Sequence, residues 1–403
     1  MMPNLACGDL CTGCTACAAA CPKSCIKMER DEEGFLQPVV GDDCIGCGAC
    51  ERACPIVSGA TGNSTVGQTA FAAVARDCGL WRASSSGGAF SCLCDVFAQM
   101  GDGAVTVVYG AAMDFPTVRH VGCEMPVIAP LRKSKYVQSD KGHTFRQVRE
   151  DLMTGRRVLY SGTPCEIAGL STYLGRLRDS ENLLLVDLIC HGAGSPAVFE
   201  ACMERASAEL GEVVDYGFRC KRPVMGNYER YLSMYKYLDK CLDAKTKYVR
   251  VDDYNKLFLN QACLRRSCME NCRFRNRKRF GDITLADLNG KGELYPEHDD
   301  GRGWSSIVGN TEKGRAVISH LSEAMEVYPS SPDDVARYNP LFDHTTPGNP
   351  RRDEFFAHYT AGEDLGELVN EFGLHTSLKS SFLNYVPRAF KNLVKRVVRA
   401  VRR

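Results

Sequence analysis

The sequence predicts an α/β protein in three parts: a small cysteine-rich α+β domain, an α/β domain with a largely parallel sheet, and a helical basic C-terminal tail. The sheet is read from two apolar runs that each end in a cysteine. Val158-Leu159-Tyr160-Ser161-Gly162-Thr163-Pro164-Cys165 is a strand that breaks at Gly and Pro and resumes as a helical pattern, with Thr163 suited to the N-cap and Pro164 to the first turn. Leu183-Leu184-Leu185-Val186-Asp187-Leu188-Ile189-Cys190-His191-Gly192 is an aliphatic run of the kind found in strands buried on both faces. With a helical segment between them, the two runs are expected as parallel neighbours, Cys165 and Cys190 both at the carboxyl edge, where open α/β sheets bind ligands. The small first domain is read from its repeated cysteine spacing, and the tail from its charge.

Composition bounds the reading. The chain has 403 residues with 50 Lys and Arg against 49 Asp and Glu, enough for two or three domains and too balanced to imply a nucleic-acid partner. Its outlying number is 22 cysteines. Met1-Met2-Pro3-Asn4-Leu5 leads into cysteine clusters without an apolar signal segment, and no stretch approaches the roughly 20 apolar residues of a membrane span. A cytoplasmic location is therefore expected, with thiols kept as metal ligands rather than disulfides.

Residues 1–58 form the first domain. Cys11-x2-Cys14-x2-Cys17-x3-Cys21-Pro22 is repeated as Cys44-x2-Cys47-x2-Cys50-x3-Cys54-Pro55, 33 residues on. Three cysteines two residues apart let a tight loop wrap one cubane, and the fourth, before Pro, crosses to the other. On that logic Cys11, Cys14, Cys17 and Cys54 hold one 4Fe-4S cluster and Cys44, Cys47, Cys50 and Cys21 a second. Zinc is the alternative, but its sites come as separated pairs rather than triplets. With Gly46, Gly48 and short apolar pieces around Ile26 and Val39, the segment resembles the bacterial two-cluster ferredoxins along its whole length. Cys7 and Cys25 fall outside the pattern and read as spectators.

Ile56 to Gln68 is rich in Gly, Ser, Thr and Asn and reads as a linker. Residues 69–150 then open with the apolar run Phe71–Ala75. Ser84-Ser85-Ser86-Gly87-Gly88 precedes a helical pattern, so Ser85, Ser86, Gly87 and Gly88 are placed to offer amides and hydroxyls to a phosphate; an ordinary serine N-cap is the competing account. Arg132-Lys133-Ser134-Lys135-Tyr136 adds positive charge, making Ser134, Lys135 and Tyr136 further candidates, although a solvated basic face would look the same.

Residues 151–345 hold the two apolar runs, a basic patch at Phe218-Arg219-Cys220-Lys221-Arg222, and the segment Cys263-Leu264-Arg265-Arg266-Ser267-Cys268-Met269-Glu270-Asn271-Cys272. Cys268 and Cys272 are too few for a site alone; with Cys165 and Cys190 they make four, the number a third 4Fe-4S cluster requires. Buried structural cysteines are the alternative.

From about Phe71 to about Gly314 the ordered motifs Ser-Ser-Gly-Gly, Ser-Lys-Tyr-Val-Gln-Ser, Ser-Gly-Thr-Pro-Cys, Cys-His-Gly, Ser-Cys-x3-Cys and Asp-Ile-Thr-x2-Asp resemble the beta subunit family of coenzyme F420 hydrogenases and dehydrogenases. The resemblance implies an FAD-binding α/β domain with its own 4Fe-4S cluster, passing electrons between clusters and a hydride carrier. Chlorophyll-modifying reductases are similar to this family too, so the scaffold leaves the substrate open. The chain departs from the family's pattern at Glu166, where members commonly carry Gln, and at Leu288-Asn289-Gly290, where they carry an aromatic pair with Gly.

In the tail, residues 346–403, Phe390, Leu393, Val394, Val397 and Val401 share one helical face and the opposite face is wholly basic. Such a helix can lie on an anionic membrane surface, dock on protein, or be a frayed tail. The expected function is that of an iron–sulfur flavoprotein oxidoreductase. It would couple a ferredoxin or other redox subunit to coenzyme F420 or another hydride carrier, flavin mediating between one- and two-electron transfers. A non-catalytic electron-transfer subunit of a larger complex and a zinc-stabilised scaffold are the competing classes; self-association is left open.

Overall fold

The computed structural model describes residues 3–6, 8–224, 227–269, 272–298, 300–345 and 348–375. The basic helix expected around Phe390–Val401 lies outside them. Among the described residues no helix is long and apolar enough to cross a membrane.

The first domain is built on an antiparallel hairpin of β1 (Ile26–Arg30) and β2 (Leu36–Val40), with Ile26 opposite Val40. Two short helices, Ala16–Ala20 and Ala49–Ala53, repeat the sequence offset in space. Each is entered through a left-handed residue, Thr15 at φ 71° and Gly48 at φ 67°, and each ends on the cysteine that precedes proline, Cys21 or Cys54.

The chain then supplies β3 (Thr69–Ala75), β4 (Thr106–Asp114), β5 (Thr117–Glu124), β6 (Arg157–Ser161) and β7 (Leu183–Leu188). A separate antiparallel sheet follows, made of β8 (Glu212–Val224), β9 (Asn227–Leu238) and β10 (Ala244–Val249). After β11 (Ile283–Asp287), β12 (Ser305–Gly309) and β13 (Met325–Ser330), the main sheet has eight strands in the order β13-β3-β12-β11-β7-β6-β4-β5. Its centre is parallel, β11-β7-β6-β4, and its flanks are antiparallel.

The β6–β7 pair meets the sequence expectation: Val158 lies opposite Leu183 and Ser161 opposite Val186, joined through the helix Pro164–Leu174. The unbroken aliphatic run of β7 serves two faces. Leu183 and Leu185 pack with Phe145, Ile167 and Leu170 from the helices Thr144–Met153 and Pro164–Leu174. Leu184 and Val186 pack with Leu93 and Phe97 of the helix Ala89–Gln99. Side-chain alternation along the strand sends them there, and a polar residue at any of the four would face a core.

Cys14, Ala16 and Ala53 join the core under the helix Pro164–Leu174, so the first domain is seated on that helix. The stretch 56–68 differs from a free linker. Asn63 N donates to Arg279 O at 2.7 Å, and Gln68 Nε2 to Arg277 O at 2.8 Å and Asn310 Oδ1 at 3.0 Å. Its small polar residues fit a groove with hydrogen-bonding partners; composition alone does not distinguish that from a solvated tether.

Candidate metal centres and cleft

Each cysteine set of the first domain surrounds its own small cavity in the predicted grouping. One cavity is lined by Cys11, Cys14, Cys17 and Cys54; the other by Cys21, Cys44, Cys47 and Cys50. The pairing crosses over because Cys21 and Cys54 cap the helices that lead away from their own loops. Cys25 also lines the second cavity, with its Sγ 3.4 Å from that of Cys21, so it is a close neighbour of the set and not a remote spectator. Cys7 lies outside the described residues.

The third set meets through backbone pairing that local spacing does not reveal. Cys190 follows β7; Ser195 N donates to Cys263 O and Arg265 N to Ala193 O, both at 2.9 Å, which lays the 263–268 segment along residues 193–195. Ala193 N then points at Cys268 Sγ, 3.4 Å away. Cys190 lies within electrostatic reach of Cys268, Cys165 and Cys272. Burial, then the Glu166 carboxylate and Cys268, push the Cys165 thiol up to about 12, and burial likewise raises Cys190 and Cys268. Four soft sulfur donors brought together at the end of the cleft fit an iron–sulfur cluster, whose iron binds them as thiolates. Among the described residues no three His, Cys, Asp or Glu side chains converge tightly enough for a single metal ion.

Cys14 is also within electrostatic reach of Cys165. The helix that opens at Cys165 comes so close to the Cys14 loop that a Cβ on Gly169 would stand 2.7 Å from Cys14 Sγ. The first cysteine set is thus the neighbour of the third, and the Cys21 set, with Cys47 exposed, is the outer one.

A cleft of about 420 Å³ opens at the carboxyl edge of the parallel strands. Ser161, Leu188, Cys190 and Asp287, at or just past the strand ends, line it, as do Ser85, Ser86, Gly88, Ser134, Lys135 and Tyr136. Six of the seven residues expected to hold a cofactor therefore share one surface. Gly87 is the correction: its amide donates to Ser305 Oγ at 3.0 Å, and a Cβ there would meet Ala73 O at 2.5 Å, so its smallness serves the seam with β3 and β12. Lys135 donates to Pro130 O and Arg132 O, and burial, then Lys133, lower its ammonium to about 7.

The basic patch on β8 divides. Lys221 is drawn in to donate to Trp81 O at 2.5 Å and Ser86 O at 2.7 Å, which holds the serine-glycine turn. Arg219, left-handed at φ 52° in a bulged part of β8, reaches the cleft and pairs with Asp287 at 2.6 Å and Tyr136 Oη at 3.2 Å.

Sequence reasoning missed the charge beneath the cleft. Glu166 and Lys141 are both buried, with Lys141 Nζ 2.5 Å from Glu166 Oε1, and Thr163 N donates to Glu166 Oε2 at 2.8 Å. Burial opposes the carboxylate, but Lys141 chiefly outweighs it and holds the carboxyl at about 2. His120 stands beside the pair, between Ser139 Oγ at 2.8 Å and Ser161 O at 3.2 Å. A carbonyl only accepts, so Nε2 carries the proton and Nδ1 accepts from Ser139. Burial lowers the imidazole to about 4. The signal for Lys141 was the departure at Glu166, since a buried carboxylate where an amide is usual calls for a cation.

Comparison with known proteins agrees with both halves. Residues 10–59 match the family model of the 4Fe-4S dicluster domain, and residues 155–334 match the family model for the C terminus of the coenzyme F420 hydrogenase/dehydrogenase beta subunit. No curated protein matches the chain. Among solved structures it is similar to a chain of the F420-reducing [NiFe] hydrogenase complex from Methanosarcina barkeri, studied by xenon derivatization. That match is 15% identical, covers 78% of this chain and 96% of that chain, and has a TM-score of 0.44. By the family matches, this protein carries a dicluster iron–sulfur domain joined to the C-terminal domain of the F420 hydrogenase/dehydrogenase beta subunits.

Proposed function

We propose that this beta-subunit relative is an iron–sulfur flavoprotein oxidoreductase. It moves electrons between 4Fe-4S clusters and FAD, coupling a one-electron partner, such as a ferredoxin or another redox subunit, to a hydride carrier such as coenzyme F420. What carries the reading is that Cys190 belongs both to the inner four-cysteine set and to the lining of the cleft. Cys21, Cys44, Cys47 and Cys50 would hold the outer cluster. Cys11, Cys14, Cys17 and Cys54 would hold the middle one, and Cys165, Cys190, Cys268 and Cys272 the inner one. Bound in this way, the clusters would supply one-electron and the flavin two-electron chemistry. Ser85, Ser86, Gly88 and Ser134 would hold the flavin's phosphates, with Lys133 as the nearby cation. Arg219 and Tyr136 would orient its partner in the cleft. Anaerobically purified protein should hold about one FAD per chain and reduce a viologen dye with a reduced deazaflavin donor. Absence of flavin after incubation with FAD would sink the flavoprotein reading.

A second reading, a non-catalytic electron-transfer subunit of a larger complex, is favoured by one observation. Two groups expected to receive a phosphate, the Gly87 amide and the Lys135 ammonium, already serve Ser305 and the Pro130 and Arg132 carbonyls. That reading expects a full set of irons, no flavin and no donor-dependent dye reduction by the isolated chain.

A further inference from the structure

We infer that Arg265, Arg275 and Arg279 form a buried cationic shell that directs electrons inward, from the exposed outer cysteine site to the site at the cleft. The inference rests on the three-cluster reading above and adds a direction to it.

Reducing a cluster held by four thiolates adds a negative charge. A buried, poorly solvated setting resists that charge, and a nearby cation favours it. The outer site is wet: Cys47 is exposed, and the exposed Asp42 and Asp43 precede Cys44. Arg52 and Arg146 are also close to it: Arg52 donates to Cys47 O at the exposed surface, where water and salt screen it, and Arg146, half-buried, spreads its donors over Ala18 O, Ala19 O, Cys21 O and Ser24 Oγ. The four middle cysteines are buried and the four inner ones half-buried. Burial alone would make both sites harder to reduce than the outer one, and electrons would stop at the surface.

Three guanidinium groups oppose that outcome. Arg279 is 1% exposed; Nη2 donates to Phe342 O at 2.8 Å, while Nε and Nη1 have no hydrogen-bond partner among the described residues. It lies within electrostatic reach of Cys190 and Cys272. Arg275 donates from Nε to Cys190 O at 3.4 Å and from Nη2 to His191 O. Arg265 is 2% exposed and lies between the middle and inner sites. Its Nε donates to Cys11 O at 2.6 Å, its Nη1 has no partner among the described residues, and its charge reaches Cys11 and Cys268.

The countercharge is already engaged: Glu166, within reach of Cys165, is paired with Lys141 at 2.5 Å. Asp187 faces Arg279, but its oxygens accept from Thr284 Oγ1 at 2.6 Å and Gly281 N at 3.2 Å. Asp343, also within reach of Arg279, is paired with Arg277 at 2.9 Å. Buried N–H groups left unpaired are costly, and a cluster that becomes more anionic on reduction gives them a counterpart. Each transfer oxidises the external donor by one electron and reduces the inner site by one, with no bond made or broken. Two transfers furnish the pair that a two-electron acceptor takes up.

The test is redox potentiometry monitored by electron paramagnetic resonance on the full chain with its clusters, reduced anaerobically with dithionite and mediators. In the unaltered protein the inner site should reduce at or above the potential of the outer one. In Arg279→Gln the ratio of reduced to oxidised inner site at a fixed potential should fall at least tenfold, about 59 mV for one electron, with the outer site unmoved. Arg279→Lys should recover most of the loss. If Arg279→Gln loses iron, Arg265→Gln replaces it and should lower the middle and inner sites together. An inner potential unmoved by these variants at full iron content, or lying below both ferredoxin-type sites in the unaltered protein, overturns the inference. An iron count near eight instead removes the three-cluster reading on which it rests.

Discussion

Gly169 and Cys14 are packed so closely that a Cβ on the glycine would stand 2.7 Å from the sulfur. This contact lies in the seam between the first domain and the helix Pro164–Leu174, and it joins the middle cysteine site to the helix that opens at Cys165. Gly169→Val should force the two apart, at a cost of about 1–3 kcal/mol for overpacking. The expected outcome is a lower melting temperature and weaker magnetic coupling between the middle and inner clusters, with iron content largely kept. Unchanged coupling would show that the seam does not set their separation.

Gly87 of the Ser84–Gly88 turn serves the seam with β3 and β12. A Cβ on Gly87 would meet Ala73 O at 2.5 Å and Ser305 N at 2.6 Å, both backbone atoms that yield little. Gly87→Ala should therefore destabilise the fold by about 1–3 kcal/mol. Ser85→Ala combined with Lys133→Met should instead weaken FAD binding about tenfold, about 1.4 kcal/mol. Thermal melts and flavin fluorescence separate the two effects.

What the sequence made legible had a local cause. The repeated cysteine spacing prescribes its own crossed pairing, and the apolar runs prescribe parallel strands with their cysteines at one edge, because strand alternation and chain connectivity act within a few residues. The meeting of Cys268 with Cys190 depends on pairing between segments about 70 residues apart, between Arg265 and Ala193, and no local pattern encodes it. Lys141 was equally hidden: its partner Glu166 is 25 positions on, and a single lysine has no periodicity to betray burial. Cys25 was set aside by motif spacing, although the turn after Cys21 folds it back to 3.4 Å.

The His120 imidazole is held neutral, lowered to about 4 chiefly by burial, against an ordinary value of about 6.5. Between these values the unfolded chain binds the proton and the folded one does not, so stability rises with pH there and is lost as pH falls from about 6.5 to about 4. The full contribution is about 3 kcal/mol. Glu166 acts lower: its carboxyl is depressed to about 2, so its share is complete above the ordinary carboxylate range and lost as pH falls toward 2. Denaturant melts of the unaltered protein and of His120→Gln, compared from pH 7 to pH 5, should converge as the pH drops. A constant difference would mean that the histidine titrates normally.

Removing Lys141 should cost more than removing the pair. Lys141→Met leaves the Glu166 carboxylate buried without its cation, a loss of about 3–5 kcal/mol. Glu166→Gln with Lys141→Met restores the amide usual in the family and removes both charges, so it should recover most of that loss. A double-mutant cycle by urea unfolding gives the coupling directly. Additive effects would show that the two charges are independently solvated in spite of their 2.5 Å separation.

The third cluster is tested at Cys165, the sulfur nearest the seam. The eight cysteines of the first domain account for about eight irons and the inner four for about four more, so anaerobic preparations should contain about twelve per chain. Thr163 Oγ1 lies 3.2 Å from Cys165 Sγ and Thr163 also anchors Glu166, so the helix start is fixed by contacts other than the thiol. Cys165→Ala should therefore leave the fold and the ferredoxin-type clusters in place while iron falls toward eight and the inner resonance disappears. The same fall should follow Cys190→Ala and Cys268→Ala, which reach the inner set from different segments of the chain. Retention of about twelve irons in Cys165→Ala would remove that residue from the ligand set. Finding only eight in the unaltered protein would leave all four inner cysteines as half-buried structural thiols.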